Sequence, residues 1–263
     1  MGGSVLERIA ASSRKRTALA KAAEPPQELR RRIARAPARR PFTGRLRAPG
    51  LHIIAEIKRA SPSAGPLGTD IVPARVAADY AAHGAAALSV LTEPEFFDGD
   101  LAHLSSARAA VQLPVLMKDF FLEEYQLLQA RAAGADCVLL IAALLGAGGL
   151  EDLLRSADAL DLDALVEVHD EDELRLALAA GARLIGVNNR DLKTLAVDLE
   201  VSRRLAPLAA GASAVLLSES GLRTRAQLLE MAALGFRGFL IGTHLIASGR
   251  PGHALAELLK EEA

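Results

Sequence analysis

A chain of 263 residues, of which 51% are hydrophobic, is long enough to bury one large α/β core. Aromatic residues make up only 3% and tryptophan is absent, so we expect a core of Ala, Val, Leu and Ile. The single cysteine, Cys137, lies in an apolar run and is predicted to be a buried, unreactive thiol. No apolar run approaches the ~18 residues of a membrane span, and no secretory signal is recognisable. These features predict a cytoplasmic protein without a membrane partner.

The net charge of −1 hides a basic amino-terminal region, because residues 1–50 hold 13 Lys and Arg residues against 3 Glu. A solvated helical face is the favoured interpretation of this region. A nucleic-acid-binding arm and an organelle transit peptide are the alternatives. Because only Phe42 could stack on bases there, no nucleic-acid partner is expected.

Residues 1–48 are predicted to form a helical extension that caps one end of the domain that follows. Apolar residues between positions 5 and 19 fit an initial helix. The Pro25-Pro26 pair interrupts that helix, and residues 28–36 fit a second one. The first predicted strand then begins at residue 53.

Eight apolar runs follow, with the composition of parallel strands that are buried on both faces. Several of them come shortly after an Ala-rich segment that ends in glycine, the residue that most readily closes a helix in the left-handed conformation. The predicted strands are 53–58, 87–91, 114–118, 137–141, 164–168, 184–188, 214–218 and 238–242.

Helical segments fill the intervals between these strands. Helical periodicity and capping signals support helices at residues 122–133, 171–180 and 225–234. The capping signals are Asp170 with Glu173 and Thr224 with Gln227. Alternation of strands and helices through residues 49–263 predicts a (β/α)8 TIM barrel. An open doubly wound sheet is the main alternative, but it usually carries a Gly-rich nucleotide-binding motif after its first strand, and none is present.

Polar and charged side chains stand at the carboxyl ends of the predicted strands, where (β/α)8 enzymes place their catalytic groups. Because side chains alternate along a strand, Glu56 and Lys58 point to the same face. A single pair of this kind fits a structural ion pair as well as it fits catalysis, but several charges at one end of a barrel favour an active site. The candidates are Glu56, Lys58, Lys118, Glu167, Asn188, Arg190, Glu219 and Ser220.

A phosphate site is predicted after the last two strands, where (β/α)8 barrels commonly bind phosphate on backbone N–H groups. Gly221 follows the seventh strand, and Gly242 and Thr243 precede a short helix predicted at 243–246. Ser61, in the loop after the first strand, adds a hydroxyl. The sequence carries no metal-binding motif, so neither a metal nor an organic cofactor is expected.

Six stretches of the chain resemble the indole-3-glycerol phosphate synthase family of tryptophan biosynthesis. They occur in family order and cover nearly the whole chain, and the first is the most specific. The stretches are IAEIKRASPS (54–63), LSVLTE (88–93), PVLMKDF (114–120), LVEV (165–168), GVNNRDL (186–192) and SESG (218–221). The amino-terminal extension also resembles that of the family. Ala64 departs from the family pattern, which usually has a lysine there.

The resemblance implies that 1-(2-carboxyphenylamino)-1-deoxyribulose 5-phosphate is cyclised to indole-3-glycerol phosphate with loss of CO₂ and water. It implies that Lys118 is the general acid of ring closure and that Glu167 is the acid–base partner in the later proton transfer. Lys58, held by Glu56, is then expected to bind the substrate carboxylate and to supply a proton for dehydration. The sequence leaves open which lysine serves which step.

The other implied roles are positioning, ring contact and phosphate binding. The residues concerned are Asn188, Arg190, Glu219 and Ser220 for positioning, Phe120 for the aromatic ring, and Ser61, Gly221, Gly242 and Thr243 for the phosphate. His169 is interpreted as a loop residue. The expected partner is a small phosphorylated substrate, and the expected assembly is a monomer or weak homodimer. A phosphoribosylanthranilate isomerase and a non-catalytic scaffold barrel are the alternatives.

Overall fold

A computed structural model describes residues 4–67 and 71–261 of the chain. Its centre is a closed barrel of eight parallel strands, in which the first strand pairs with both the second and the last. The strands are β1 His52–Ile57, β2 Ala87–Leu91, β3 Val115–Lys118, β4 Cys137–Ile141, β5 Asp163–Val168, β6 Leu184–Asn188, β7 Val215–Glu219 and β8 Gly238–Ile241. The predicted (β/α)8 barrel is therefore confirmed, and the open doubly wound sheet is excluded.

The observed strand limits differ from the predicted ones by at most one residue at either end. Two of these differences affect charged residues of the predicted site. Pairing of β1 with β2 stops at Ile57, so Lys58 follows the strand instead of ending it. Pairing of β6 with β7 continues to Glu219, which therefore ends β7 instead of following it. Both side chains still lie at the carboxyl end of the barrel.

Helices surround the barrel and cross its ends. They are α1 Val5–Ala23, α2 Pro26–Ile33, α3 Phe42–Leu46, α4 Pro73–Ala82, α5 Pro94–Phe97, α6 Leu101–Ala110, α7 Glu124–Ala133, α8 Ala142–Ala159, α9 Glu171–Ala179, α10 Glu200–Leu205, α11 Arg225–Ala233, α12 Thr243–Ala247 and α13 Pro251–Leu259. A short 3₁₀ helix, Ala206–Ala209, follows α10. Within the described ranges, no helix is both long and apolar enough to cross a membrane.

The two predicted capping signals differ in outcome. Thr224 and Gln227 exchange both hydrogen bonds of a capping box at the start of α11, as predicted. At α9, Asp170 accepts the Glu173 backbone N–H at 2.9 Å, but the reciprocal bond is not made to Asp170. The Glu173 carboxylate instead accepts the backbone N–H of His169 at 2.8 Å. The predicted hydrogen bond from the Asp170 backbone N–H to the Glu173 side chain is therefore wrong, because Glu173 binds the N–H of the preceding residue.

Two of the helices before β1, α3 and α1, pack against opposite ends of the barrel. Phe42 and Leu46 of α3 are fully buried against barrel side chains that include Leu184 and Val215, at the amino ends of the strands. Helix α1 lies at the opposite end, where Arg16 makes a bidentate ion pair with Asp119 at 2.7 and 3.0 Å. Of the predicted segments 1–48 and 49–263, residues 1–3, 68–70 and 262–263 lie outside the described residues.

A buried aspartate ties the extension to the amino end of the barrel. Asp136, which immediately precedes β4, has no solvent exposure and pairs with Arg108 of α6 at 2.5 Å. Its two carboxylate oxygens also accept the backbone N–H groups of Arg40 at 2.7 Å and Val115 at 2.8 Å. One side chain thus joins three separate segments of the chain.

We expect Asp136→Ala to lower the free energy of unfolding by roughly 3–5 kcal/mol, since it leaves the buried Arg108 guanidinium without its counter-ion. Urea denaturation followed by circular dichroism measures this difference. Asp158→Ala is the matched control, because Asp158 pairs with Arg183 on the surface. Exposed pairs contribute about 0–1 kcal/mol. Equal losses in the two variants would contradict the expectation.

Candidate active site

A cavity of about 570 Å³ opens at the carboxyl ends of the strands. Every residue that the sequence predicted for the site lines this cavity: Glu56, Lys58, Ser61, Lys118, Phe120, Glu167, Asn188, Arg190, Glu219, Ser220, Gly221, Gly242 and Thr243. The structure therefore brings the predicted charged rim and the predicted glycine-lined loops around one space. Among residues 4–67 and 71–261, no group of three or more His, Cys, Asp or Glu side chains is arranged to hold a metal ion.

Lys118 is the centre of the charged cluster. It ends β3, and its Nζ atom lies 2.5 Å from Glu219 Oε2 and 3.2 Å from Glu167 Oε2. The two glutamates come from β7 and β5, so three strands place one ammonium between two carboxylates. All three side chains are at least largely buried, and their mutual pairing offsets the cost of removing the charges from water.

The cluster separates the protonation states of its members. Burial lowers the pKa of Lys118, but attraction to Glu219 and Glu167 outweighs burial and holds this pKa above its ordinary value. For Glu167, the effect of burial is outweighed by Lys118 and His169, so its pKa is lowered. Burial raises the pKa of Glu219 to about 7, and the negative charge of Glu167 adds to this increase. Attraction to Lys118 lowers the pKa but does not outweigh burial. Lys118 therefore stays an ammonium and Glu167 a carboxylate, while Glu219 takes up a proton near neutral pH.

Glycines make room for two of the carboxylates. A Cβ atom at Gly242 would lie 2.3 Å from Glu56 Oε1, and one at Gly186 would lie 2.0 Å from Glu219 Oε1. Both distances are far shorter than any real contact of a Cβ atom. Glu219 Oε1 is buried without a hydrogen-bond partner among the described residues, which agrees with the raised pKa of that carboxyl. Gly186 was not predicted as part of the site.

Glu56 and Lys58 form a second ion pair on the same wall. Their Oε1 and Nζ atoms lie 2.6 Å apart, and both side chains are largely buried. Alternation along β1 predicted that these two side chains share a face, and the structure brings their charged ends into contact. Because Gly242 faces this carboxylate, the geometry of the pair depends on the absence of a side chain at position 242.

We expect Gly242→Ala to displace Glu56, to weaken its pairing with Lys58 and to cost about 1–3 kcal/mol of folding free energy through overpacking. If the ion pair positions an anionic substrate, the KM rises as well. Gly148→Ala is the control, because Gly148 lies in α8 and a Cβ atom there would meet nothing within 4 Å. Thermal melts and steady-state kinetics of both variants measure the effects. Identical behaviour of the two variants would contradict this expectation.

Asn188 and Arg190 continue the polar wall after β6. Asn188 Oδ1 accepts the backbone N–H of Arg190 at 3.0 Å, and the Asn188 side chain contributes to lowering the pKa of Glu167. The Arg190 guanidinium donates to the Leu195 carbonyl at 2.8 Å. Burial lowers the pKa of Arg190 and Glu56 opposes that effect. This wall thus carries a cation that faces the cavity together with Lys58 and Lys118.

The predicted phosphate-binding residues lie at another part of the cavity wall. Ser220 and Gly221 have positive φ angles of 67° and 87°, which turns the chain sharply at the end of β7. Thr243 begins α12, the short helix that the sequence predicted at this place. Ser61 Oγ accepts the Ala64 N–H at 3.2 Å and lies 3.4 Å from Ser63 Oγ. The loops after β1, β7 and β8 therefore meet at the cavity.

The cavity also has an apolar side that the sequence analysis only partly identified. The Phe120 ring lies 6.1 Å from the Phe97 ring, centroid to centroid, at an angle of 32°. Val5, Leu6 and Ile9 of α1 line the same space. Phe120 was predicted, whereas the contribution of α1 depends on tertiary packing that no local sequence pattern reports.

His169 lies closer to the charged cluster than its interpretation as a loop residue implies. It lies in the loop after β5, as interpreted, but its Nε2 atom is 3.3 Å from Glu167 Oε1. Its Nδ1 atom is 3.0 Å from Glu173 Oε2. The spacing of two residues from Glu167 places both side chains on the same face, and this was the signal that could have identified His169.

Together, the closed parallel barrel and the buried charged cavity at the carboxyl ends of its strands define a protein of the (β/α)8-barrel enzyme class. A model of the indole-3-glycerol phosphate synthase family matches residues 6–258, and the chain belongs to this family.

Curated relatives agree with that family. An indole-3-glycerol phosphate synthase from Mycolicibacterium gilvum is 47% identical over 256 residues, which cover 97% of this chain and 92% of the relative. One from Carboxydothermus hydrogenoformans is 47% identical over 207 residues, covering 79% and 78% of the two chains. One from Albidiferax ferrireducens is 45% identical over 258 residues and covers 97% of both.

A more distant solved structure resembles the fold alone. The N-acetylmannosamine-6-phosphate 2-epimerase from Clostridium perfringens superimposes with a TM-score of 0.58 at 16% sequence identity. The match covers 76% of this chain and 89% of that one. It supports the barrel architecture and carries no information about the reaction.

Proposed function

We propose that this protein catalyses the ring closure, decarboxylation and dehydration of 1-(2-carboxyphenylamino)-1-deoxyribulose 5-phosphate to indole-3-glycerol phosphate. Family membership supports the reaction, and one observation carries the assignment of residues. That observation is the Lys118 ammonium, held between Glu167 and Glu219 in a cavity that also contains the Glu56–Lys58 pair. The substrate is small and carries two anionic groups, a carboxylate and a phosphate, which suits such a cavity.

Substrate binding uses two anchors. Lys58 binds the benzoate carboxylate, and the backbone N–H groups near Gly221, Gly242 and Thr243, with Ser61, bind the phosphate. Phe120 packs against the aromatic ring. Fixing both ends of a flexible substrate brings the ring carbon close to the ketone carbon, which removes much of the entropic cost of cyclisation.

Ring closure is the step assigned to Lys118. The aromatic carbon that carries the carboxylate attacks the ketone carbon, and Lys118 donates a proton to the ketone oxygen, which becomes a hydroxyl. A fixed ammonium at that oxygen stabilises the negative charge as it develops. The carboxylate then leaves as CO₂, and the electron pair of the broken bond restores the aromatic ring.

Dehydration completes the indole ring. Lys58 protonates the new hydroxyl, which leaves as water, while Glu167 accepts a proton from the methylene carbon next to the ring nitrogen. The lowered pKa of Glu167 keeps this residue ionised and ready to accept that proton. Asn188, Arg190, Glu219 and Ser220 position the substrate or the reacting side chains.

A direct turnover assay tests the proposal. Purified protein is mixed with the substrate in chelator-treated buffer, and the indole chromophore and released CO₂ are quantified. We expect both products in equal amounts without added metal, and none with heat-unfolded protein. Absence of the indole product with folded wild-type protein would refute the proposal. Conversion of phosphoribosylanthranilate instead would indicate an isomerase.

The compartment and the assembly state stay predictions. We expect a cytoplasmic protein, in keeping with a biosynthetic family, and a monomer or weak homodimer. Sedimentation velocity across a hundredfold range of concentration tests the assembly state, and fractionation of cells that express the chain tests the compartment.

A further inference from the structure

The ring of His169 bridges two carboxylates. Its Nε2 atom lies 3.3 Å from Glu167 Oε1 and its Nδ1 atom lies 3.0 Å from Glu173 Oε2, and only 13% of the His169 side chain is exposed. The same Glu173 oxygen also accepts the His169 backbone N–H at 2.8 Å. Glu173 therefore fixes both the backbone and the ring of His169. The buried Nε2 atom at the other end of the ring lies at ion-pair distance from Glu167 and makes no hydrogen bond to any described residue.

The two contacts determine the charge of the ring. An ionised carboxylate offers only hydrogen-bond acceptors, and a neutral imidazole carries only one N–H group. A ring nitrogen without a proton would turn its lone pair toward a carboxylate oxygen. With Nδ1 donating to Glu173, the approach of Nε2 to Glu167 is favourable only when Nε2 also carries a proton, so the geometry favours an imidazolium. Burial lowers the pKa of His169, but Glu167 and Glu173 outweigh burial and raise it to about 10.

The remaining charges near the ring come from β3, β7 and α9. Lys118 lies against the other oxygen of Glu167, and Glu219 lies beyond Lys118. The amino end of α9 opposes a cation through its dipole, but its first turn carries Glu171, Asp172 and Glu173. Of these, Glu171 and Asp172 already pair with Arg175 on the surface. Glu173 is thus the acidic residue of that turn that holds His169.

Glu167 consequently has a cation on each side. Lys118 contacts Oε2, and His169 contacts Oε1. His169 is not among the residues that line the cavity, so its ring does not reach a substrate there. Anything it contributes to the reaction passes through the Glu167 carboxylate.

We propose that His169 is a positioning residue that acts through Glu167. As an imidazolium anchored by Glu173, it fixes the orientation of the carboxylate and keeps it ionised. Glu167 can then accept the methylene proton, and the neighbouring Glu219 is left to hold any shared proton. This role rests on the reaction proposed above, in which Glu167 is the base of the dehydration step.

The first test does not depend on turnover. Nitrogen-15 NMR of histidine-labelled wild-type protein at pH 8 reports the protonation of each ring, and the His169→Gln spectrum identifies the signal of His169. We expect both ring nitrogens of His169 to be protonated at this pH. A neutral tautomer at pH 8 would overturn the proposal.

The second test separates positioning from folding. We expect His169→Ala to lower kcat roughly tenfold, a part of what acid–base catalysis contributes, with less than a twofold change in KM. The acidic limb of the kcat profile shifts to higher pH, because Glu167 loses a cation that favours its ionised form. His169→Gln, which can donate one amide N–H to Glu167, restores part of kcat but leaves the limb shifted.

Asp170→Ala is the matched control, because it removes the cap of the same helix without a contact to Glu167. We expect this variant to melt at a lower temperature with an unchanged pH profile. If His169→Ala behaves like Asp170→Ala, the role of His169 is structural and the proposal is wrong. Wild-type protein without turnover would refute the proposed function, whereas active wild-type protein with an unaffected His169→Ala variant would refute this inference alone.

Discussion

Replacement of Lys118 by alanine is expected to reduce kcat at least about a thousandfold, because ring closure loses both its proton donor and the charge that stabilises the developing alkoxide. Lys118→Gln keeps most of the length and a hydrogen-bond donor but not the charge, and we expect a similar loss. Stopped-flow detection of the indole product and steady-state assays measure both variants.

Folding of the Lys118 variants should be preserved, because the two carboxylates that they leave behind can share a proton. Glu219 already has a pKa of about 7 beside Lys118, so loss of the ammonium favours its neutral form further. Circular dichroism and size-exclusion chromatography show whether the Lys118 variants are folded. Lys15→Ala, at an exposed position of α1, is the control and should leave kcat unchanged. A Lys118 variant that is folded and within tenfold of wild-type activity would exclude Lys118 as the general acid.

Glu167→Gln is expected to reduce formation of the indole product by about 100- to 1,000-fold, because the amide cannot accept a proton during dehydration. The substitution keeps the size of the side chain, so the substrate still binds and ring closure still has Lys118. In this variant, ring closure with decarboxylation should therefore become faster than dehydration.

A substrate labelled at its carboxylate carbon allows decarboxylation and dehydration to be measured separately. In a single turnover, we expect Glu167→Gln to release labelled CO₂ clearly faster than it forms the indole chromophore, whereas Lys118→Ala slows both equally. Glu151→Gln, at an exposed position of α8, serves as the control. Equal slowing of CO₂ release and indole formation by Glu167→Gln would place this residue in ring closure instead of dehydration.

The barrel and its charged rim could be predicted because both follow from local patterns. Apolar runs after glycine-terminated helices locate the strands within a residue of their observed limits. The rule that catalytic groups lie at the carboxyl ends of barrel strands then brings Glu56, Lys118, Glu167 and Glu219 together. Neither inference requires knowledge of how distant segments pack.

What escaped prediction depends on three-dimensional neighbours. In the sequence, Gly186 looks like an ordinary strand residue. Its importance appears only in the structure, where Glu219 from the adjacent strand occupies the space that a side chain at position 186 would fill. Phe97 and the apolar face of α1 reach the cavity only through packing of separate helices. His169 could be identified as a neighbour of Glu167, but its second carboxylate partner, Glu173, lies four residues further on in the next helix.

The position of α1 has a consequence for attempts to reduce this protein to a minimal catalyst. Arg16 clamps Asp119, the residue that immediately follows Lys118, and Thr92 donates to the same carboxylate at 2.6 Å. Deleting the helix would remove an apolar wall of the cavity and the arginine partner of Asp119, which is adjacent in sequence to Lys118, the proposed general acid. The working unit is therefore larger than the eightfold repeat, and a trimmed barrel that still folds would make a poor scaffold for redesign.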